Sequence, residues 1–331
     1  MLSSNSMLYR PLGQSGISAS VIGLGTWAIG GWMWGGTERA DSIRAVEAAI
    51  GAGVNLIDTA PAYGMGLSEE MVGEAIRGKR DGVVLATKCG LVWHTRQGAY
   101  YFNQAAKPVH RFLGAASIRH EVEESLRRLG TDRIDLYQTH WQDPTTPVDE
   151  TMGTLMDLKR EGKIRAIGVS NATVAHMERY RKAGELDSDQ EKFSLLDRGP
   201  QAETLPYLRK NGTAFLAYSP MALGLLTGRI GPERQFNGDD LRLRNPRFTV
   251  EARVRIQTML AEVEPLAAAR GWSVGQLMLA WAASVPGVTH VLAGARNAEQ
   301  AVANARAGES TLTADESAAI EQAAARHCQG M

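Results

Sequence analysis

Residues 83–88, VVLATK, form an apolar run that closes on a charged side chain. Residues 55–60, NLIDTA, and 134–141, IDLYQTHW, repeat the pattern, with Asp58 and His140 as the closing ionisable residues. Short β-rich apolar runs are typical of buried strands. Core packing does not readily explain an ionisable residue at the end of each run. We therefore expect these residues to lie together at one end of a sheet and to form a functional site there.

Strands of this kind alternate with helix-length amphipathic stretches along the chain. The eight candidate strands are residues 21–25, 55–58, 83–88, 134–140, 166–170, 192–197, 215–219 and 290–294. The helical patterns cover about residues 40–52, 68–78, 117–129, 147–161, 174–183, 203–210, 251–270 and 297–307. This alternation predicts a parallel sheet, and eight units predict an α/β fold of the (β/α)8 TIM-barrel type, whose active site lies at the C-terminal ends of the strands.

Five segments fall outside the repeat. Residues 9–20 predict an N-terminal β-hairpin that closes the bottom of the barrel, and residues 273–284 and 313–325 predict extra C-terminal helices. Two long connections, residues 90–116 and 220–249, are expected to be lids or binding loops.

The helix ends also carry signals. Ser117 and Asn297 stand where helices are expected to begin, and Asn297 can cap free N–H groups. Gly130, Gly162 and Gly184 follow helical runs, where a left-handed residue is favoured.

The composition excludes several classes of protein. The chain has 331 residues, 44% hydrophobic and 22% charged, with a formal net charge of zero. No linker divides it, so a single domain over residues 1–331 is expected. Nothing favours nucleic acid or a membrane as partner. Two unrelated cysteines, no signal peptide in residues 1–7 and no spanning run predict a cytoplasmic protein.

The closing residues suggest a proton-transfer site. Tyr63 can act as a general acid if its pKa falls from about 10, and the ammonium of Lys88 would lower it. Asp58 would pair with Lys88, and His140 could donate a hydrogen bond to a carbonyl oxygen. Together they suit reduction of a carbonyl by a hydride donor, or the reverse oxidation.

The chain resembles the aldo-keto reductases. The matching motifs are Gly23–Trp27, Asn55–Ala60 with Tyr63-Gly64, Ala86–Lys88, Asp135–Trp141, Ile167–Asn171, Ala217–Pro220, Gly224–Gly228 and Gly294–Asn297. They cover nearly the whole chain in order. Three further motifs, Arg10–Gly13, Gly30–Trp32 and Leu195–Arg198, make it most similar to the bacterial general-stress and inositol-catabolism branch.

This resemblance implies a barrel that binds a nicotinamide cofactor without a Rossmann domain. It implies that Asp58, Tyr63, Lys88 and His140 form a catalytic tetrad, with Tyr63 as the acid. It also implies that Ser170, Asn171 and Gln190 hold the nicotinamide carboxamide, while Tyr218 stacks on its ring. The remaining implied cofactor contacts are Gly25, Thr26, Trp27, Asp58, Ser219, Pro220, Leu223, Gly224 and Gly294.

Arg296 follows the last strand and precedes a helix start, which together favour a phosphate. We assign it to the 2′-phosphate of NADP(H), with Gln300 and Asn304 at the adenosine. Some relatives carry a lysine at strand eight and a second arginine in the next helix, where this chain has Gly294 and Gln300. NADP(H) is therefore expected, with NAD(H) left open.

Five of the seven tryptophans follow strands one, three and four: Trp27, Trp32, Trp34, Trp93 and Trp141. With Tyr63 and His140, they predict an aromatic pocket for a small carbonyl substrate, and a sugar or polyol also fits. We expect Trp27, Trp32, Trp93 and Trp141 to contact it. The basic residues of the third connection, His94, Arg96, His110 and Arg111, either bind an anion or are ordinary solvated side chains.

Other functions compete with this interpretation. A cofactor-binding regulatory subunit with little turnover would share the fold and the tetrad. A metal-dependent hydrolase needs clustered ligands at strand ends, where only His140 is available among the histidines. A Rossmann fingerprint is rejected at Gly23–Ala28, because Gly30–Trp32 follows instead of a helix. Natural substrate, direction and oligomeric state stay open.

Overall fold

A computed structural model describes residues 6–331. Residues 1–5, which belong to the segment where no signal peptide is expected, lie outside it. Eight parallel strands close into a barrel, each paired with the next in chain order. They are β1 (Ile22–Gly25), β2 (Leu56–Asp58), β3 (Val84–Cys89), β4 (Ile134–Thr139), β5 (Ile164–Ser170), β6 (Ser188–Lys192), β7 (Ala214–Tyr218) and β8 (His290–Gly294). The predicted (β/α)8 TIM barrel is confirmed.

Ten α-helices accompany the strands within the described residues 6–331. They are α1 (Arg39–Gly51), α2 (Leu67–Ala75), α3 (Ala115–Leu129), α4 (Val148–Arg160), α5 (Val174–Ala183), α6 (Thr204–Asn211), α7 (Val250–Ala269), α8 (Val274–Ser284), α9 (Ala298–Ala305) and α10 (Ala314–His327). The extra helices α8 and α10 confirm the predicted C-terminal additions. No helix within residues 6–331 combines the length and apolarity that crossing a bilayer requires.

The barrel interior is apolar at one end and polar at the other. Successive side chains alternate between the two faces of a strand, so every second residue points inward. The inward apolar cluster includes Leu56, Ala86 and Leu136, together with Leu12 and Ile17. The last two lie between the paired strands Tyr9–Pro11 and Ser18–Ser20, so the predicted hairpin closes the N-terminal end. The next inward positions, towards the C-terminal ends, are left for polar groups.

The sixth strand differs from its prediction. It runs over Ser188–Lys192 and not over residues 192–197. Phe193, Leu195 and Leu196 suggested a strand. Instead, Ser194 and Asp197 close a tight turn through their backbones and side chains. The polar sequence of β6 is a strand because both neighbours pair with it, β5 on one side and β7 on the other.

The helix ends confirm three predictions and contradict two. Gly130 and Gly162 adopt left-handed φ values of 62° and 78°, and Asn297 caps α9 by accepting the Gln300 N–H. Gly184 has an extended φ of 178°. Ser117 does not begin a helix, since α3 starts at Ala115 after Gly114, which places Ser117 inside the first turn.

The two long connections contain structure that the sequence did not predict. Residues 90–116 include a three-stranded antiparallel sheet, Leu91–Val92, Ala99–Gln104 and Lys107–Arg111, with the last strand in the middle. Residues 220–249 include the 3₁₀ turns Ala222–Thr227, Leu241–Arg244 and Pro246–Phe248. Both connections leave the C-terminal ends of barrel strands, so they border the same mouth.

Helix α2 packs its glycine against the end of α3. A Cβ at Gly73 would lie 2.7 Å from the Leu129 carbonyl oxygen and 2.8 Å from that of Arg128, whereas a Cβ at Gly153 in α4 would meet nothing within 4 Å. We expect Gly73→Ala to lower the free energy of unfolding by about 1–3 kcal/mol, because backbone must move. Gly153→Ala should raise it by about 0.5–1 kcal/mol through helix propensity. Denaturant unfolding of both variants measures this, and an equal effect would show that the α2–α3 contact is not tight.

Candidate active site

A buried ion pair lies at the C-terminal end of the barrel interior. Lys88 on β3 is 0% exposed and Asp58 on β2 is 2% exposed. The Lys88 Nζ donates to Asp58 Oδ2 at 2.7 Å, to the Thr59 carbonyl at 3.0 Å and to Tyr63 Oη at 3.3 Å. Three of the four predicted catalytic residues are thus in direct contact.

Two glutamines hold the other oxygen of Asp58. Gln190 on β6 donates to Asp58 Oδ1 at 2.8 Å, and Gln138 on β4 donates to the same atom at 3.2 Å. The Gln190 amide, assigned from resemblance to a carboxamide, therefore already has a partner. Gln138 was missed in the sequence, although its inward position two residues before His140 was a usable signal.

The charges in the site have clear physical causes. Burial alone would lower the pKa of Lys88, but Asp58 and Tyr63 outweigh it, so its pKa is raised and the ammonium stays charged. Burial raises the pKa of Tyr63, and the opposing effect of Lys88 is smaller. The expectation that Lys88 brings the pKa of Tyr63 below its ordinary value was wrong. Tyr63 therefore keeps its proton across the neutral range.

His140 directly follows β4 and faces Tyr63. Their ring centroids are 5.8 Å apart with planes at 84°. Burial, with a smaller effect of the Lys88 charge, holds the pKa of His140 well below its usual range. The imidazole is therefore neutral, and one of its nitrogens can donate a hydrogen bond.

Two glycine backbones fix the turn that carries Tyr63. A Cβ at Gly30 would lie 2.6 Å from the Tyr63 carbonyl carbon, and a Cβ at Gly64 would lie 2.4 Å from the Gly30 carbonyl oxygen. Gly64 also has a φ of 72°, which side chains disfavour. The loop after β1 and the loop after β2 therefore position each other.

The predicted tryptophans pack against other rings and apolar residues in the loops at the mouth, and their contact with a substrate stays a prediction. Trp27 lies 6.4 Å from the Tyr63 ring and 5.6 Å from that of Trp34. Trp93 and Trp141 pack beside Ala62 in one small apolar cluster. Trp32, the fifth predicted tryptophan, stacks on Phe102 at 5.2 Å.

The unpredicted sheet adds two rings to this wall. Phe102 stacks on Trp32, and Tyr101 lies 5.5 Å from Trp141. Both belong to the strand Ala99–Gln104. Its pairing register shifts between Tyr100 and Phe102, so its sequence lacks the regular alternation that predicts a strand. The sequence signal for them was their position in a long connection after a barrel strand.

The predicted carboxamide ligands form one network beside the ion pair. Tyr218 Oη donates to Asn171 Oδ1 at 2.9 Å, and Asn171 Nδ2 donates to the His140 carbonyl at 3.0 Å. Ser170 Oγ donates to the Gln190 carbonyl at 2.8 Å. The structure brings Ser170, Asn171, Gln190 and Tyr218 together, as the sequence predicted.

The backbone after β7 is unusual. Ser219, Ala222 and Leu223 have positive φ values of 53°, 46° and 58°, and Gly224 follows at 98°. Positive φ in residues with a side chain is strained and is concentrated at ligand clamps and switch segments. Pro220 lies within the same turn, and the binding of a pyrophosphate by this loop stays a prediction.

Arg296 is engaged with the protein. Its guanidinium donates to the Gly36 carbonyl at 2.7 Å and to the Trp34 carbonyl at 3.4 Å. Gln300 accepts the Arg296 N–H at 2.9 Å, and Asn304 donates to the Gly294 carbonyl at 3.0 Å. Arg296 and Gln300 thus lie at the start of α9, next to the loop after β1, whereas Asn304 lies in the last turn of α9.

That loop and the connection after β7 are tied to each other. Asp239 accepts the N–H groups of Met33 at 2.9 Å and Gly35 at 3.0 Å. Gly25, Thr26 and Trp27 lie below this bridge at the end of β1, where Thr26 Oγ1 donates to the Asp58 carbonyl at 2.9 Å. The mouth is thus bordered by the buried ion pair with Tyr63, by aromatic side chains and by the loop that Asp239 holds in place. Such an arrangement can bind a planar cofactor and protonate an oxygen beside it.

Comparison with known proteins agrees with this geometry. The profile of the Aldo/keto reductase family matches residues 21–325. The chain is 42% identical over 303 residues to the NADH-specific methylglyoxal reductase of Escherichia coli, covering 90% of this chain and 92% of that protein.

Two solved structures share the fold. The glycerol dehydrogenase AKR11B4 from Gluconobacter oxydans is 38% identical with a TM-score of 0.87, covering 100% of this chain and 98% of that one. An aldo/keto reductase from Klebsiella pneumoniae in complex with NADP and acetate is 31% identical with a TM-score of 0.72, covering 96% and 94%.

The buried pair predicts an asymmetric response to mutation. Lys88→Met leaves the Asp58 carboxylate buried without its counter-ion, which should lower the free energy of unfolding by roughly 3–5 kcal/mol. Adding Asp58→Asn removes that charge, so the double variant should be more stable than Lys88→Met alone. Urea unfolding of the single and double variants tests this. A double variant no more stable than Lys88→Met would show that charge pairing does not govern the site.

Proposed function

The chain belongs to the aldo/keto reductase family, and from that membership we propose that it reduces an aldehyde or ketone to the alcohol, reversibly, with NADPH as hydride donor. One observation carries the proposal: the hydroxyl of Tyr63 lies 3.3 Å from a fully buried Lys88 ammonium at the barrel mouth. A regulatory subunit without turnover finds no specific support in this geometry.

Tyr63 is proposed as the general acid. A carbonyl oxygen gains negative charge as it is reduced, so a protonated donor beside it stabilises the transition state. The raised pKa of Tyr63 keeps that proton available at neutral pH. Lys88 lies close enough to stabilise the phenolate once the proton has moved, and Asp58 fixes Lys88.

His140 is proposed to orient the carbonyl. A neutral imidazole donates from one nitrogen without adding a second positive charge beside Lys88. Its lowered pKa supports this role. The backbone contact between Gly30 and Tyr63 keeps the acid in place while the substrate enters.

The residues of the mouth fit a nicotinamide dinucleotide, which when bound would supply the hydride. Asn171 and Gln190 are amides that can pair with a carboxamide, and the ring of Tyr218 lies beside them. The strained turn at Ser219–Gly224 supports a clamp for the pyrophosphate. The capped start of α9 and Arg296 support a phosphate at the far end.

The choice of cofactor rests on Arg296. The Klebsiella structure contains NADP, whereas the Escherichia coli relative is NADH-specific by name. We propose NADP(H) as the preferred cofactor because the guanidinium of Arg296, at the start of α9, can bind a 2′-phosphate, with use of NAD(H) open. The substrate is proposed to be a small carbonyl compound that fits between aromatic walls.

Tyr63→Phe should lower kcat for aldehyde reduction by roughly 10²–10⁴-fold, because the acid is lost while the ring remains. Cofactor affinity, measured by fluorescence titration, should stay within about threefold, since Tyr63 makes no proposed phosphate contact. Tyr100→Phe, at a 57% exposed tyrosine, is the matched control and should keep full activity. Full activity in Tyr63→Phe would rule out Tyr63 as the acid.

Arg296→Ala should raise the Kd for NADPH by about tenfold or more and change that for NADH little, because only NADPH carries the 2′-phosphate. Arg306→Ala, an exposed arginine just beyond the other end of α9, provides the control. Fluorescence titration with both cofactors gives the ratio. An equal loss for the two cofactors would remove Arg296 from the 2′-phosphate role.

A further inference from the structure

The sheet of residues 90–116 presents an unusual face to the barrel mouth. In its strand Ala99–Gln104, the pairing shifts between Tyr100 and Phe102, so Tyr101 is an inserted residue. Tyr100 faces His110, while Phe102 pairs with Val109. Such a bulge re-aims side chains. The neighbours Tyr101 and Phe102 therefore both turn towards the mouth, with ring centroids 5.2 Å apart.

The middle strand brings a positive charge to the same face. Val109 packs against Ala62 and Leu91 under the sheet. Arg111 lies two residues further along that strand, and residues two apart share a face. Its guanidinium lies 5.3 Å from the ring centroid of Tyr101. Arg111 is therefore held over an aromatic ring that lies beside Trp141, the residue directly after His140.

Arg111 lacks the carboxylate partner that three other part-buried arginines have. Arg128 pairs with Glu69, Arg242 with Asp240 and Arg247 with Asp197. Over residues 6–331, Arg111 has no such ion pair, and its buried Nε atom has no hydrogen-bond partner.

Two carboxylates close to this connection are already in use. Asp143 accepts the Leu113 N–H at 2.9 Å, and Glu150 accepts the Ala115 N–H at 2.9 Å. The guanidinium of Arg111 therefore has N–H groups that can donate to a ligand.

We propose that Arg111, seated on the ring of Tyr101, binds a carboxylate carried by the carbonyl substrate. This assignment rests on the proposed reductase function and names its substrate class: carbonyl compounds with an acidic group at the end remote from the carbonyl. A guanidinium matches a carboxylate with two parallel hydrogen bonds.

The charge of the substrate can be tested with the reacting group unchanged. 4-Formylbenzoate and 4-formylcinnamate are each compared with their methyl esters, using the full-length protein and NADPH. We expect at least one acid to exceed its ester in kcat/KM by about tenfold or more, since a charge-assisted hydrogen bond is worth that factor. Arg111→Gln should abolish the preference by raising KM for the acid while leaving the ester unchanged.

Two further variants separate recognition from folding. Arg96→Gln removes an exposed arginine of the same connection and should keep the preference. Arg111→Lys keeps the charge and should retain part of it, and thermal unfolding checks that both Arg111 variants are folded. Loss of the preference in Arg96→Gln as well would point to a diffuse field and contradict a specific Arg111 site.

The outcomes for the two proposals differ. Esters reduced as well as acids by the wild-type protein, or a preference that survives Arg111→Gln, would overturn the carboxylate site and leave the reductase function standing. No turnover of any of the four aldehydes with NADPH or NADH would contradict the reductase function itself, and with it the assignment of Arg111.

Discussion

The ion pair between Lys88 and Asp58 is the interaction on which the site depends. Two opposite charges in a barrel interior are stable only when each is paired and hydrogen-bonded. Lys88 therefore binds Asp58 and the Thr59 carbonyl, and Gln138 and Gln190 donate to the remaining carboxylate oxygen. These partners come from β2, β3, β4 and β6. Half of the barrel is thus committed to holding one ammonium beside Tyr63.

The barrel can hold this polar cluster because its interior is apolar at the N-terminal end and polar at the C-terminal end. The hairpin residues Leu12 and Ile17 pack with the apolar cluster at the N-terminal end, so the polar layer lies towards the mouth. Burial then sets the chemistry of the mouth. It keeps the proton on Tyr63 and removes it from His140, while charge pairing keeps Lys88 an ammonium. One low-dielectric environment therefore produces three different protonation states.

The loops add selectivity to that fixed site. The connection after β7 is tied to the loop after β1 through Asp239, and Arg296 donates to the same loop. A phosphate bound by Arg296 would compete with the Trp34 and Gly36 carbonyls for its guanidinium. Cofactor and loop would therefore use the same side chain. On the opposite border, the bulge at Tyr101 turns two aromatic rings and Arg111 towards the mouth. We therefore propose that elements outside the barrel repeat recognise substrate and cofactor.

The sequence by itself determined the barrel and the gathering of Asp58, Lys88 and His140 at one end of it, because strand–helix alternation and ionisable residues at strand ends are local signals. It misplaced β6, since a polar strand is recognisable only by its two neighbours. It missed Gln138 and the sheet with Tyr101 and Arg111, and it gave the pKa of Tyr63 the wrong direction. Only the tertiary structure decided these, because hydrogen-bond partners, burial and the register of a bulge depend on residues far apart in the chain.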